Sequence, residues 1–155
     1  MTEPLCLLAD IGGTNTRMAL SDGKVLRDAS IERFKNADYA EFSDIIRAYL
    51  TAQGIARVDR ACVAAAGPVA DGRAEMTNLD WTIADTDIAA ASGADHVGLL
   101  NDLQAQGHSL RLLKSDDIET VMAGTHVPRD SDTQIVIGMG TGFNAAPVYP
   151  AAHGT

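Results

Sequence analysis

Leu5 to Ala9 is an unbroken apolar run, the pattern of a strand covered on both faces, and it stops at Asp10-Ile11-Gly12-Gly13-Thr14-Asn15, where regular structure cannot continue. A turn is predicted there. Arg17 to Ser21 then alternates polar and apolar, Ser21-Asp22-Gly23 reads as a second turn, and Val25 to Ile31 is expected to complete a three-stranded meander.

From Asp38 the period changes, with Tyr39, Phe42, Ile46, Tyr49 and Leu50 falling on one helical face. Asp38 with Glu41 resembles a capping box, and Gly54 is placed to stop the helix. Ala61 to Ala66 is the next buried strand. Gly67-Pro68 and Asp71-Gly72 mark an excursion before Met76-Thr77-Asn78-Leu79-Asp80-Trp81. A short helix over Asp85 to Ser92, closed by Gly93, leads into a strand at His96 to Leu100. Asn101-Asp102 sits at that strand's carboxyl end, where a helix with Leu103, Gly107 and Leu110 begins, and open sheets place ligands at that end.

The order predicts an α/β fold: a mixed sheet of three antiparallel strands followed by parallel βαβα, with helices on its faces. After Lys114 the pattern restarts. Ile135 to Ile137 is apolar, Gly138-Met139-Gly140-Thr141-Gly142 is a glycine-rich turn, and Ala145 to Tyr149 reads as a returning strand. A first domain over 1–113 and the truncated start of a similar, larger second domain over 114–155 are expected.

With 155 residues, 46% hydrophobic and 21% charged, the chain has the composition of an ordinary soluble domain. Its net charge of -9 argues against nucleic acid or an anionic membrane as partner, although backbone N–H groups and a metal ion can hold an anion locally. No apolar run approaches membrane-spanning length and no leader is evident, so the cytoplasm is the expected location. Cys6 and Cys62 lie in apolar runs without metal-ligand spacing and are expected to be reduced, buried thiols. The four histidines show no metal spacing either.

Asp10 to Thr14, between two strands, suits phosphate because phosphate oxygens need bare backbone donors that side chains would block. Gly12 and Gly13 provide that access, the Thr14 hydroxyl adds a donor, and Asp10 is placed to hold a hydrated Mg²⁺. An ordinary hairpin turn is the competing reading. Gly138 to Gly142 is a second turn of similar make. Asp102 is placed either to accept a proton from a substrate hydroxyl, with Asn101 orienting that substrate, or to cap a helix. Asn78 suits either a polyhydroxylated ligand or a turn.

Taken together, Ala9-Asp10-Ile11-Gly12-Gly13-Thr14-Asn15-Thr16-Arg17, Ala66-Gly67-Pro68-Val69, Met76-Thr77-Asn78-Leu79-Asp80-Trp81, Leu100-Asn101-Asp102-Leu103 and Gly138-Met139-Gly140-Thr141-Gly142 are collinear with motifs of a known group. The chain resembles the bacterial glucokinase family, hexokinase-like members of the sugar kinase, heat-shock chaperone and actin superfamily. The resemblance implies two ribonuclease-H-like domains closing over glucose and MgATP, with ATP and Mg²⁺ as cofactors. It implies that Ala9, Asp10, Ile11, Gly12, Gly13 and Thr14 form the first phosphate loop and Gly140, Thr141 and Gly142 the second. Asn78, Asn101 and Asp102 would contact the sugar, with Asp102 the base toward the 6-hydroxyl.

Asn144 stands where the family usually has another glycine. The family also continues beyond this point with further sugar contacts, the adenine pocket and a final helix packing on the first domain. The expectation is therefore an ATP-dependent glucokinase, of which this chain is an N-terminal part inactive alone. A homodimer is among the expectations for the full-length protein. A kinase for mannose or glucosamine, or a non-catalytic sugar-binding regulator from the related repressor branch, are the alternatives.

Overall fold

Alternation of buried and open positions along the strands decides which face each residue takes. The computed structural model describes residues 3–76, 79–125, 129, 132–139 and 143–149. They form two compact units, Met1–Asp102 and Leu103–Thr155. The first runs β1 (Leu5–Ile11), β2 (Asn15–Asp22), β3 (Val25–Leu26), β4 (Glu32–Lys35), α1 (Phe42–Ala52) and β5 (Arg60–Ala65). It continues through β6 (Val69–Ala70), β7 (Arg73–Glu75), β8 (Thr82–Ala84), α2 (Asp85–Ser92) and β9 (His96–Asn101) to the start of α3 (Asp102–Ser109).

The expected mixed sheet forms. β1 pairs antiparallel with β2, and β2 pairs with both β3 and β4. On its other side β1 pairs parallel with β5, and β5 with β9. β6, β7 and β8 make a small antiparallel sheet where only an excursion was expected, because each is too short to show a period.

The third strand differs from the expectation. Only Val25–Leu26 pair with β2 before a 3-10 turn at Asp28–Ser30 interrupts, and pairing resumes at Glu32. The buried Ser30 hydroxyl holds that turn by donating to Arg27 O (2.6 Å) and accepting from Leu20 N (2.8 Å). The first helix also starts later than the capping pattern implies. Asn36–Asp38 is a 3-10 turn, Tyr39 is extended, and Glu41 stands at the N-cap without a side-chain cap bond. Asp38 is thus spent in the turn, and the helix is held by its apolar face instead.

That face, Phe42, Ile45, Ile46, Tyr49 and Leu50, packs with Leu7, Ile11, Met18, Leu20, Val63 and Ile88 in one core. The left-handed residues Gly54 (φ 67°) and Gly93 (φ 69°) follow α1 and α2, a conformation that favours glycine. α1 and α2 cover one face of the sheet. The opposite face carries Cys6, Leu8, Cys62 and Ala64, all partly or fully exposed. The two thiols are therefore not the buried pair expected: Cys6 is half-buried and Cys62 exposed. Surrounding groups still push the Cys62 thiol above its ordinary pKa, chiefly by desolvation and then through Cys6.

In the second unit β10 (Gln134–Met139) and β11 (Phe143–Val148) form an antiparallel hairpin. A Cβ on Gly107 would lie 2.9 Å from Val148 and one on Gly138 would lie 3.3 Å from Leu103, so α3 lies close against this hairpin. Ile135, Ile137, Met139, Phe143 and Tyr149 are exposed.

Tyr49 is fully buried and its hydroxyl donates to Ser30 O at 2.8 Å, tying α1 to the turn that splits the third strand. Tyr49→Phe leaves that carbonyl without its donor and is expected to lower stability by about 1–2 kcal/mol in urea unfolding. Burial raises the Tyr49 pKa, so its contribution is full below about pH 10, the ordinary value, and is lost as pH rises toward the folded-state value. The gap between wild type and variant should therefore narrow in strong alkali, and a constant gap would contradict this.

Candidate functional site

Parallel pairing sets Ile11, Ala65 and Asn101 side by side, as Ile11↔Ala65 and Ala65↔Asn101, in the last rung of the ladder. Three segments consequently leave the sheet at one edge: the loop from Gly12, the turn Ala66-Gly67-Pro68, and Asn101 running into Asp102. With strands about 4.8 Å apart, the first loop and Asn101-Asp102 are separated by roughly 10 Å across the edge. This is the carboxyl edge, where open parallel sheets bind ligands.

The first loop is a tight connection between β1 and β2. Gly12 N–H donates to Asn15 O (2.9 Å), and a Cβ added at Gly12 would sit 3.3 Å from that oxygen. The Gly12 donor is thus used within the loop, while the N–H groups of Gly13 and Thr14 meet no protein acceptor among the described residues. Ala9 and Ile11 turn their side chains into the core and contribute backbone placement only. Asp10 and Thr14 are exposed. Asp10 lies opposite Arg17 on the face away from α1 and α2.

At the other end of the row, Asn101 Nδ2 donates to Gly67 O at 2.8 Å. This bond fixes the amide plane against the turn after β5. Gly67 is buried where a Cβ would collide with the carbonyl oxygen of Glu75, so only glycine fits. Ala66 N–H donates to Ile11 O (2.9 Å), stitching the same turn to the end of β1. Asp102 is half-buried and opens α3 as its first residue.

The structure thus brings together Ala9 to Thr14 with Asn101 and Asp102. Asn78 and Gly140, Thr141 and Gly142 lie outside the described residues. Asn144 stands in β11 opposite Gly138. Among the described residues no group of three or more His, Cys, Asp or Glu side chains is placed to hold a metal ion. A hydrated Mg²⁺ asks for less, since one or two carboxylates and its own waters suffice, and the exposed Asp10 beside the loop fits that demand. The pattern of the chain did not single out Gly67 as the partner of Asn101, nor Asn36, whose buried amide touches the loop.

The glucokinase family model matches residues 7–155. The glucokinase of Caulobacter vibrioides is 35% identical over 145 residues, covering 92% of this chain and 43% of that protein. The chain spans less than half the length of the curated relatives it matches. Among solved structures, a glucokinase from an Antarctic psychrotroph superposes with a TM-score of 0.79 at 31% identity, covering 96% of this chain and 47% of that one. A glucokinase of Streptomyces griseus from the ROK family, solved with glucose and AMPPNP, gives 0.58 at 23% identity over 96% of this chain and 45% of that one, a likeness of fold.

The fit at Gly67 can be tested directly. Gly67→Ala must displace the Glu75 carbonyl and is expected to cost about 1–3 kcal/mol in urea unfolding. Gly98→Ala, whose Cβ would meet nothing nearer than Ala61 O at 4.0 Å, serves as the control. That control should stay within about 0.5 kcal/mol of wild type. Equal effects of the two changes would contradict the close packing assigned to Gly67.

Proposed function

The chain belongs to the glucokinase family, and on that premise we propose that the gene product carrying it transfers the γ-phosphoryl group of ATP to the 6-hydroxyl of glucose. The observation that carries the reading is the shared end of β1, β5 and β9, which puts a glycine loop with two open backbone donors and a carboxylate on one sheet edge. The bound glucose and AMPPNP of the Streptomyces griseus neighbour support a sugar and a nucleotide as the two substrates.

In this reading Gly13 and Thr14 offer their N–H groups to phosphate oxygens, and the surrounding segment Ala9 to Thr14 shapes the approach. Gly140, Thr141 and Gly142 form the second cradle. Asn101, held by Gly67, and Asn78 orient the sugar. The Asp102 carboxylate accepts the 6-hydroxyl proton as that oxygen bonds to the γ-phosphorus, while the bond from phosphorus to the β,γ-bridging oxygen breaks and ADP leaves. The proton ends on Asp102 and passes to solvent. Asp10 would hold Mg²⁺ through water, and the ion would neutralise phosphate charge. Alignment and charge neutralisation are most of what phosphoryl transfer asks of a protein.

Residues 1–113 are assigned to the first domain and 114–155 to the opening of a larger one, with α3 grouped by its contacts with the second compact unit. Further assignments of the reading are a cytoplasmic location and a homodimeric full-length protein. The 155-residue chain alone is expected to show no glucose-dependent ATP consumption, since the adenine pocket and the further sugar contacts that the family resemblance implies are not among these residues.

Asp102→Asn in the full gene product tests the assignment of the base. Turnover should fall about 10²- to 10⁴-fold while the glucose dissociation constant stays nearly unchanged. Retained turnover would remove Asp102 from the mechanism. A wild-type product with no hexose phosphorylation would remove the kinase reading and favour a sugar-binding regulator.

A further inference from the structure

Asn36 lies outside every segment that carries the family resemblance, yet it makes three hydrogen bonds to the first loop and its flank. Its side-chain Nδ2 donates to Gly12 O (2.8 Å), its Oδ1 accepts from Thr16 Oγ1 (2.8 Å), and its backbone N–H donates to Thr14 O (3.0 Å). The bonds fall on alternate residues 12, 14 and 16. Asn36 is 1% exposed and Thr16 fully buried, so the bond between their side chains is shielded from solvent, while the bond to the half-buried Gly12 is partly so. Asn36 is itself fixed by its place at the end of β4 and by the 3-10 turn, in which Tyr39 N–H donates to Asn36 O at 3.1 Å.

The consequence follows from peptide geometry. The Gly12 carbonyl and the Gly13 N–H belong to one planar trans unit and point in opposite directions. A donor that draws Gly12 O toward Asn36 therefore turns Gly13 N–H away from it, toward the open side of the loop. Two adjacent glycines would otherwise sample many orientations of that peptide, and ordering it on binding would weaken the ligand's affinity.

We propose that Asn36 is a positioning residue for the nucleotide: its buried amide locks the Gly12–Gly13 peptide so that the Gly13 N–H is aimed at a phosphate before one arrives. An amide suits the task because it presents a donor and an acceptor together. A carboxylate would keep the bond to Thr16 and set an acceptor against Gly12 O. The inference rests on the phosphate-loop reading above, which its test separates from the clamp itself.

Asn36→Asp and Thr16→Val, made in the full gene product, are the variants. Asn36→Asp should raise the KM for MgATP roughly 10-fold, the effect of opposing a buried acceptor with another acceptor, and leave the KM for glucose within about twofold. Hydrogen exchange of the hydrogen-bonded amides of Gly12 and Asn36 should quicken by about the same factor while exchange in α1 is unchanged. Thr16→Val, which removes one of the three bonds, should shift both readouts in the same direction by about threefold, and it carries the test if Asn36→Asp does not fold. An unaltered KM for MgATP in a folded variant of an active enzyme, or an equal rise in both KM values, overturns the proposal. If the wild type has no kinase activity, the phosphate reading fails with it. Loop exchange still decides the clamp: quickened exchange upholds it and unchanged exchange overturns it.

Discussion

Two parallel pairings, β1 with β5 and β5 with β9, decide where the described candidate site residues of the first unit, Ala9 to Thr14 with Asn101 and Asp102, can go. Their register ends all three strands on one row, Ile11, Ala65 and Asn101. A slip of one residue in β1 would turn Asp10 into the core and Ala9 out of it, because successive side chains face opposite ways. Burying an unpaired carboxylate is strongly unfavourable, and the alternation of Leu7, Ala9 and Ile11 against Ala61, Val63 and Ala65 therefore rules out a slip by one residue. The site is thus a by-product of how the core is filled.

What the strands bring together, two asparagine amides hold still. Asn36 donates to Gly12 O at one end of the row and Asn101 donates to Gly67 O at the other. In each case an asparagine amide pins the carbonyl of a glycine that has no side chain to fix its own peptide. Donors set in place before a ligand arrives need no reordering when charge develops on it, which is how a protein stabilises phosphoryl transfer with little covalent chemistry of its own.

Much of this was legible in the residues. The apolar runs at Leu5 and Ala61 and the glycine pair at Gly12 located the parallel strands and the loop, because burial on both sides of a pairing and a break in side chains leave plain patterns. The third strand did not, since its interruption depends on the Ser30 hydroxyl of the 3-10 turn bonding to Leu20 N of β2, ten residues away. The helix start was misplaced because Asp38 and Glu41 match a cap by spacing alone, while the 3-10 turn that uses Asp38 is stabilised by Asn36 and its bonds to the loop. The thiols were misread for a related reason: an apolar run shows that a strand is central, but not that both of its faces are covered by this stretch of chain. Asn36 left no local signal at all, as its partners lie 20 and 24 residues away.

In the proposed function one sheet edge gathers the phosphate loop and the catalytic carboxylate. Paramagnetic broadening by Mn²⁺–ATP in the amide spectrum of the full gene product, with glucose present, tests it most directly. Signals from Gly12 to Thr14 and from Asn101 and Asp102 should be lost together. Those of Gly54 and Gly93, which precede β5 and β9 at the opposite edge of the sheet, should persist. Loss at Gly54 or Gly93 with the loop signals intact, or broadening of the loop without Asn101 and Asp102, would contradict it.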